Sequence, residues 1–155
     1  MVEIDEFLRP ERMILGLRSG SKRQLFQDLA TMAAEATGLD PATILAALNQ
    51  REKLGTTGIG EGIAIPHARV KQLTGMAGFF ARMATPVEYD ALDDGPVDLV
   101  FLLLAPEEAN TMQLKALARI ARLLRDPEVC ARLRRETDPL AVYDLLVGRA
   151  TGAAA

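Results

Sequence analysis

The sequence of 155 residues has one cysteine, one histidine and no tryptophan. A single thiol, Cys130, cannot close an intramolecular disulfide, so the fold has to rest on a packed core, and a reducing cytoplasm is the expected compartment. One His and one Cys exclude the usual zinc and iron–sulfur clusters; only carboxylates remain for a hard cation, and no metal or cofactor is expected. Long apolar runs are also missing. The longest, Leu99 to Ala105, falls far short of the roughly 20 residues that a membrane-crossing helix requires. The start of the chain lacks the basic-then-apolar pattern of a secretory signal. Net charge is −3 with acids and bases interspersed, so no basic field draws the domain to nucleic acid or an anionic membrane surface.

What is present is a chain 49% hydrophobic, the size and composition of one globular domain with its own core. That domain is expected over residues 1–147, with 148–155 as a disordered tail that nothing anchors. Ser21 to Ala36 has an amphipathic helical stripe through Leu25, Leu29, Met32 and Ala33, Ser21 and Gln24 in capping-box spacing, and Gly38 as a stop. Asp40-Pro41 opens a second helix that should run to Gly55 with Arg51 in its last turn. Ile63 to Ile65, Met76 to Met83 and Val97 to Leu104 are β-prone, the last with the composition of a central strand. From Glu107 to Arg125, Leu114, Leu117, Ile120, Ala121 and Leu124 recur at helical spacing. Asp126-Pro127 and Asp138-Pro139 start two further short helices. Helices and strands mix without regular βαβ alternation, which predicts one α/β domain of α+β character, a mixed sheet flanked by helices on both sides. Cys130 and Met112 read as core filler, and Arg132, Arg134 and Arg135 as a solvated basic face.

The chemically informative stretch runs from Gly55 to His67. Its glycines are no Walker loop, because no Gly-Lys-Ser/Thr follows, and no dinucleotide fingerprint, because a strand rather than a helix comes next. Thr56, Thr57, Gly58, Gly60 and Gly62 supply hydroxyls and backbone N–H groups able to converge on an anion. Pro66 fixes His67 at the end of a strand. A neutral imidazole is a competent nucleophile near neutral pH, and a phosphoryl group in transfer needs cations and N–H donors such as Arg51 provides. By residue type alone a second reading stands beside this one: a packed or surface histidine, glycines that make a turn, and an arginine at a helix end.

The run Arg51-Glu52-Lys53-Leu54-Gly55-Thr56-Thr57-Gly58-Ile59-Gly60-Glu61-Gly62-Ile63-Ala64-Ile65-Pro66-His67-Ala68-Arg69-Val70 resembles the active-site signature of the type-2 enzyme IIA domains of the bacterial phosphotransferase system. The likeness continues through Gly95 to Pro106 and the helix from Leu114, and is greatest to the stand-alone nitrogen-regulatory IIA proteins, which carry no transporter domain. The resemblance implies a mixed sheet flanked by helices, His67 as phosphoacceptor and Arg51 as the residue steadying the phosphoryl group. It implies a histidine phosphocarrier protein as donor, and output through regulated partner proteins. It further implies a phosphotransferase-system component with a phosphohistidine intermediate rather than a free-standing enzyme. A sugar-specific IIA subunit feeding a separate IIB protein is the alternative, and a binding module that never turns over phosphate is another. One departure stands out: relatives commonly place a second histidine just before the leucine that opens the long helical run, and this chain has Gln113, which can donate a hydrogen bond but cannot become a cation.

Overall fold

The computed structural model describes residues 2–148. The expected tail over 148–155 lies outside them from residue 149 onward. After a 3₁₀ turn at Ile4–Glu6 come β1 (Leu8–Leu17), α1 (Lys22–Thr37), α2 (Pro41–Glu52), β2 (Gly58–Gly60), β3 (Ile63–Ala64), β4 (His67–Val70), β5 (Ala77–Val87), β6 (Val97–Pro106), α3 (Asn110–Leu124), α4 (Pro127–Arg135) and α5 (Pro139–Val147). The strands form one six-stranded mixed sheet in the order β1-β5-β6-β3-β2, with β4 beside β6 as well.

Strand β6 carries the architecture, as its apolar run from Leu99 to Ala105 predicts. Leu99, Phe101 and Leu103 point into one core and Val100, Leu102 and Leu104 into the other, all fully buried. Alternate side chains of a strand face opposite sides of the sheet, so the run from Leu99 to Ala105, apolar at every position, needs cover on both. Helices α1 and α2 cover one face with Leu25, Phe26, Leu29, Ile44 and Leu48. Helices α3, α4 and α5 cover the other with Ile120, Leu124, Leu133, Val142 and Leu146. The mixed sheet between two helical layers is the predicted fold.

The helix signals are realised closely. Ser21 Oγ accepts from the Gln24 N–H at 3.1 Å, and Gly38 closes α1 with φ 77°. Only half of the capping box forms, since the Gln24 amide turns to Asp28 Oδ1 at 2.8 Å. Asp40, Asp126 and Asp138 each cap the helix whose first residue is the following proline.

Several expectations need correction. Helix α2 ends at Glu52 rather than at Gly55, because residues 53–55 turn back in bonds from Leu54 N to Arg51 O and from Gly55 N to Glu52 O. Helix α3 begins at Asn110, and its buried face is Gln113, Ala116, Ile120 and Leu124; Leu114 is 61% exposed and Met112 is exposed too. Strands β1, β2 and β4 lie where no strand was expected. Pro10, Glu11 and Arg12 conceal β1, yet it sits at a sheet edge, where a missing N–H and charged side chains are tolerated. Arg134 is exposed, as a solvated face requires, but it is also paired: it chelates Asp98 with Nε at 2.8 Å and Nη2 at 3.0 Å and donates to the Glu61 carbonyl. Cys130 is buried as expected, with its thiol bonded to the Leu124 carbonyl.

Candidate functional site

Strands β3 and β4 lie in line along the same edge of β6, Ile63 opposite Leu99 and His67 opposite Leu103, with a break at Ile65-Pro66. Proline cannot donate to a ladder, so the pairing is interrupted there. His67 therefore begins a strand rather than ending one, which corrects the sequence expectation. The break matters chemically, because the Ile65 carbonyl is taken up by His67 Nδ1 at 2.8 Å. A carbonyl only accepts, so Nδ1 carries the proton and Nε2 is left with its lone pair.

That lone pair faces a cation. Arg51, on the last turn of α2, donates from Nε to His67 Nε2 at 3.1 Å and from Nη1 to the Gly55 carbonyl at 2.9 Å. Both contacts of the ring agree on one neutral tautomer. Burial lowers the His67 pKa below the ordinary histidine value; the Ile65 hydrogen bond and Glu52 oppose the shift, and the Arg51 charge adds to it.

The two residues open onto a cavity of about 780 Å³ between α2, β4 and the start of α3, whose walls include Leu54, Arg69, Glu107, Asn110 and Gln113. Gln113 is buried and donates from Nε2 to the Ala68 carbonyl at 3.2 Å, tying α3 to the strand that bears His67. His67, Arg51 and Gln113, far apart in sequence, thus meet in one place.

The glycine stretch does not join them. Among the described residues none of Thr56, Thr57, Gly58, Gly60 and Gly62 lines the cavity, and their polar groups are largely committed elsewhere. Thr57 donates its N–H and hydroxyl to Glu52, both at 2.8 Å, and Gly58 N–H bonds to Thr56 Oγ1. Glu61 and Gly62, with φ of 59° and 82°, form the two-residue turn of the β2–β3 hairpin, where both central residues need positive φ. The expected anion cradle is a hairpin.

Sequence reasoning passed over Arg69 and Asn110. Arg69 was findable, since residues two apart on a strand share a face and it stands two after His67. Asn110 had no local signal; the turn from β6 into α3 delivers it.

The arrangement suits nucleophilic attack by Nε2 on an electrophile whose negative charge Arg51 receives. It contains no candidate metal centre: among the described residues no three His, Cys, Asp or Glu side chains converge on a common point. Nor, among those residues, is any helix long and apolar enough to cross a membrane.

Comparison with known proteins bears on what the cavity belongs to. A nitrogen regulatory protein of Bradyrhizobium diazoefficiens is 48% identical over 143 residues, covering 92% of this chain and 94% of the relative. One from Pseudomonas aeruginosa is 38% identical, covering 95% and 96%. The crystal structure of nitrogen regulatory protein IIA-Ntr from Neisseria meningitidis superposes with a TM-score of 0.88 at 34% identity, over 92% of this chain and 98% of that one. The IIA mannitol structure from Escherichia coli, at 23% identity and TM-score 0.76 over 89% and 97%, shares the fold. The family described as phosphoenolpyruvate-dependent sugar phosphotransferase system, EIIA 2, matches residues 6–148. With that match extending over all but the two ends, the chain belongs to the EIIA 2 family of the phosphotransferase system.

Proposed function

We propose that this protein accepts a phosphoryl group on Nε2 of His67 from the phosphohistidine of a small phosphocarrier protein, and that the resulting charge governs its binding to regulated partners in the cytoplasm. The observation that carries this reading is the pair of contacts on one ring, Nδ1 to Ile65 O and Nε2 to Arg51 Nε, which presents a neutral nucleophile beside a cation at an open cavity. In the transfer the Nε2 lone pair forms the new N–P bond while the donor's N–P bond breaks, and Nδ1 keeps its proton. Arg51 then exchanges the lone pair for a phosphoryl oxygen, a charge-assisted bond of about 1.5–3 kcal/mol. Identities of 48% and 38% to nitrogen regulatory proteins support a regulatory output over sugar transport. Gln113 supports the same direction, because by the resemblance a neutral amide stands where family members commonly have a second histidine, which puts onward transfer in doubt.

Incubation with phosphoenolpyruvate, enzyme I and the phosphocarrier should label the wild-type chain with acid-labile phosphate. The His67→Ala variant should stay unlabelled with its melting temperature little changed, since a half-buried imidazole contributes little apolar burial. Label retained on His67→Ala would sink the assignment, and an unlabelled wild type would favour the simple binding module.

A further inference from the structure

Beneath Arg51 lies a polar cluster that the transfer chemistry does not use. The Glu52 carboxylate accepts from Lys22 Nζ, Thr57 N and Thr57 Oγ1, each at 2.8 Å, with its side chain 11% exposed. The Thr57 hydroxyl also meets the Tyr89 hydroxyl at 2.7 Å, both residues being buried, and Lys22 Nζ lies 4.3 Å from the centre of the Tyr89 ring. Burial pushes the Tyr89 phenol far above its ordinary pKa, so it stays a neutral partner at any physiological pH.

The geometry of this cluster closes a loop. Glu52 is the last residue of α2 and Thr57 stands next to β2, so the carboxylate pins both ends of the short connection 53–56. The connection carries the Gly55 carbonyl, which accepts from Arg51 Nη1 and leaves Nε directed at His67. A guanidinium is planar, so fixing one of its N–H groups orients the others. We propose that Glu52 is a positioning residue for phosphoryl transfer: by closing the 52–57 loop through Thr57 it places the Gly55 carbonyl that aims Arg51 at Nε2 of His67.

The burial of the cluster explains why a carboxylate suits the place. Three donors converge on Glu52, and a charged acceptor makes stronger bonds than a neutral one. Lys22 balances the charge, and the aromatic wall of Tyr89 and Phe26 limits water on that side. Thr57, read from sequence as a phosphate ligand, acquires a different task here, as the latch of the loop.

This inference rests on His67 being the acceptor, and the test separates the two. Single-turnover transfer from a phosphorylated histidine phosphocarrier protein is measured for wild type, Glu52→Gln, Arg51→Ala and the double variant. Glu52→Gln keeps the shape of the side chain and loses its charge, and it should slow transfer about tenfold to a hundredfold, as expected when a catalytic group is misplaced by a fraction of an ångström to one. In the Arg51→Ala background the same change should have no further effect, because residues that act through one another are not additive. Thr57→Val should slow transfer in the same way, and Thr57→Ser, which keeps the hydroxyl, should restore most of the rate. Wild-type transfer by Glu52→Gln, or an equal loss with and without Arg51, would overturn the positioning role while leaving the acceptor intact. A wild type that takes no label overturns both. Should Glu52→Gln fail to fold, the Thr57 pair decides: equal rates for valine and serine count against the latch.

Discussion

Burial and the nearby guanidinium hold the His67 imidazole in its neutral form, and the Ile65 carbonyl fixes which nitrogen is bare. The sign of the pH dependence follows. Because the folded pKa lies below the ordinary histidine value of about 6.5, the ring is mostly neutral above that pH and the transfer rate should be nearly level there. The folded pKa is lowered, so the rate should hold at 6.5 and fall only at more acidic pH, as the ring protonates and loses its lone pair. Single-turnover rates between about pH 5 and 8 would show the limb, and a midpoint above 6.5 would contradict the neutral tautomer. Gln113 makes the second residue-scale prediction. It shares the cavity with His67 and is neutral. Gln113→His should place a partly protonated imidazole near the phosphoryl group, worth on the order of 1 kcal/mol after screening. Phosphohistidine should then persist several-fold longer, increasingly so toward pH 6, and hydrolysis rates identical to wild type would mean that residue 113 does not reach the phosphate. At this scale the sequence pointed to His67 and Arg51 because their chemistry is written in residue type. It could not place Thr57, because a hydroxyl serves a ligand and a buried carboxylate equally well; in the structure that hydroxyl donates to Glu52.

Among the elements, the stretch from Gly55 to Gly62 shows how glycine acquires its meaning from packing. A Cβ on Gly58 would lie 2.8 Å from Ala91 Cβ and 2.8 Å from Tyr89 Cδ1, closer than real Cβ contacts occur. The glycine lets β2 pack against the 89–92 segment, whose Leu92 N–H also donates to the Gly58 carbonyl. Gly58→Ala should cost about 1–3 kcal/mol through overpacking, a fall of roughly 2–4 °C in Tm per kcal/mol for a chain of this size. Calorimetry giving an unchanged Tm would show that the segment yields freely. The helices were legible because their ends are local events: the Asp-Pro pairs at 40, 126 and 138 and the stop at Gly38 need no tertiary partner. The short strands β2 and β4 were not. They have three and four residues, too few for a period to emerge, and they are strands only because β3 and β6 supply the missing hydrogen bonds.

Over the whole molecule, stability depends on β6, whose side chains belong alternately to two cores. Leu102 is fully buried in the core beneath α1 and α2, so Leu102→Ala should destabilise the protein by about 2–5 kcal/mol through lost burial and a residual cavity. Urea unfolding should show this as a lower midpoint with the slope unchanged, and a loss below about 1 kcal/mol would mean that the helical layer collapses onto the gap. The same two-layer design explains the placement of the site. Arg51 comes from the layer on one face, Gln113 from the layer on the other, and His67 from the strand edge between them. The sequence by itself determined the elements with local start and stop signals, the doubly buried strand that demands helices on both sides, and which residue to propose as the nucleophile. Tertiary structure alone decided which of the ring nitrogens is free, which residues share the cavity, and that the glycine run folds as a hairpin outside the lining of that cavity. Those outcomes depend on hydrogen bonds between groups distant along the chain, such as Gln113 to Ala68, and no local periodicity or propensity records such partners.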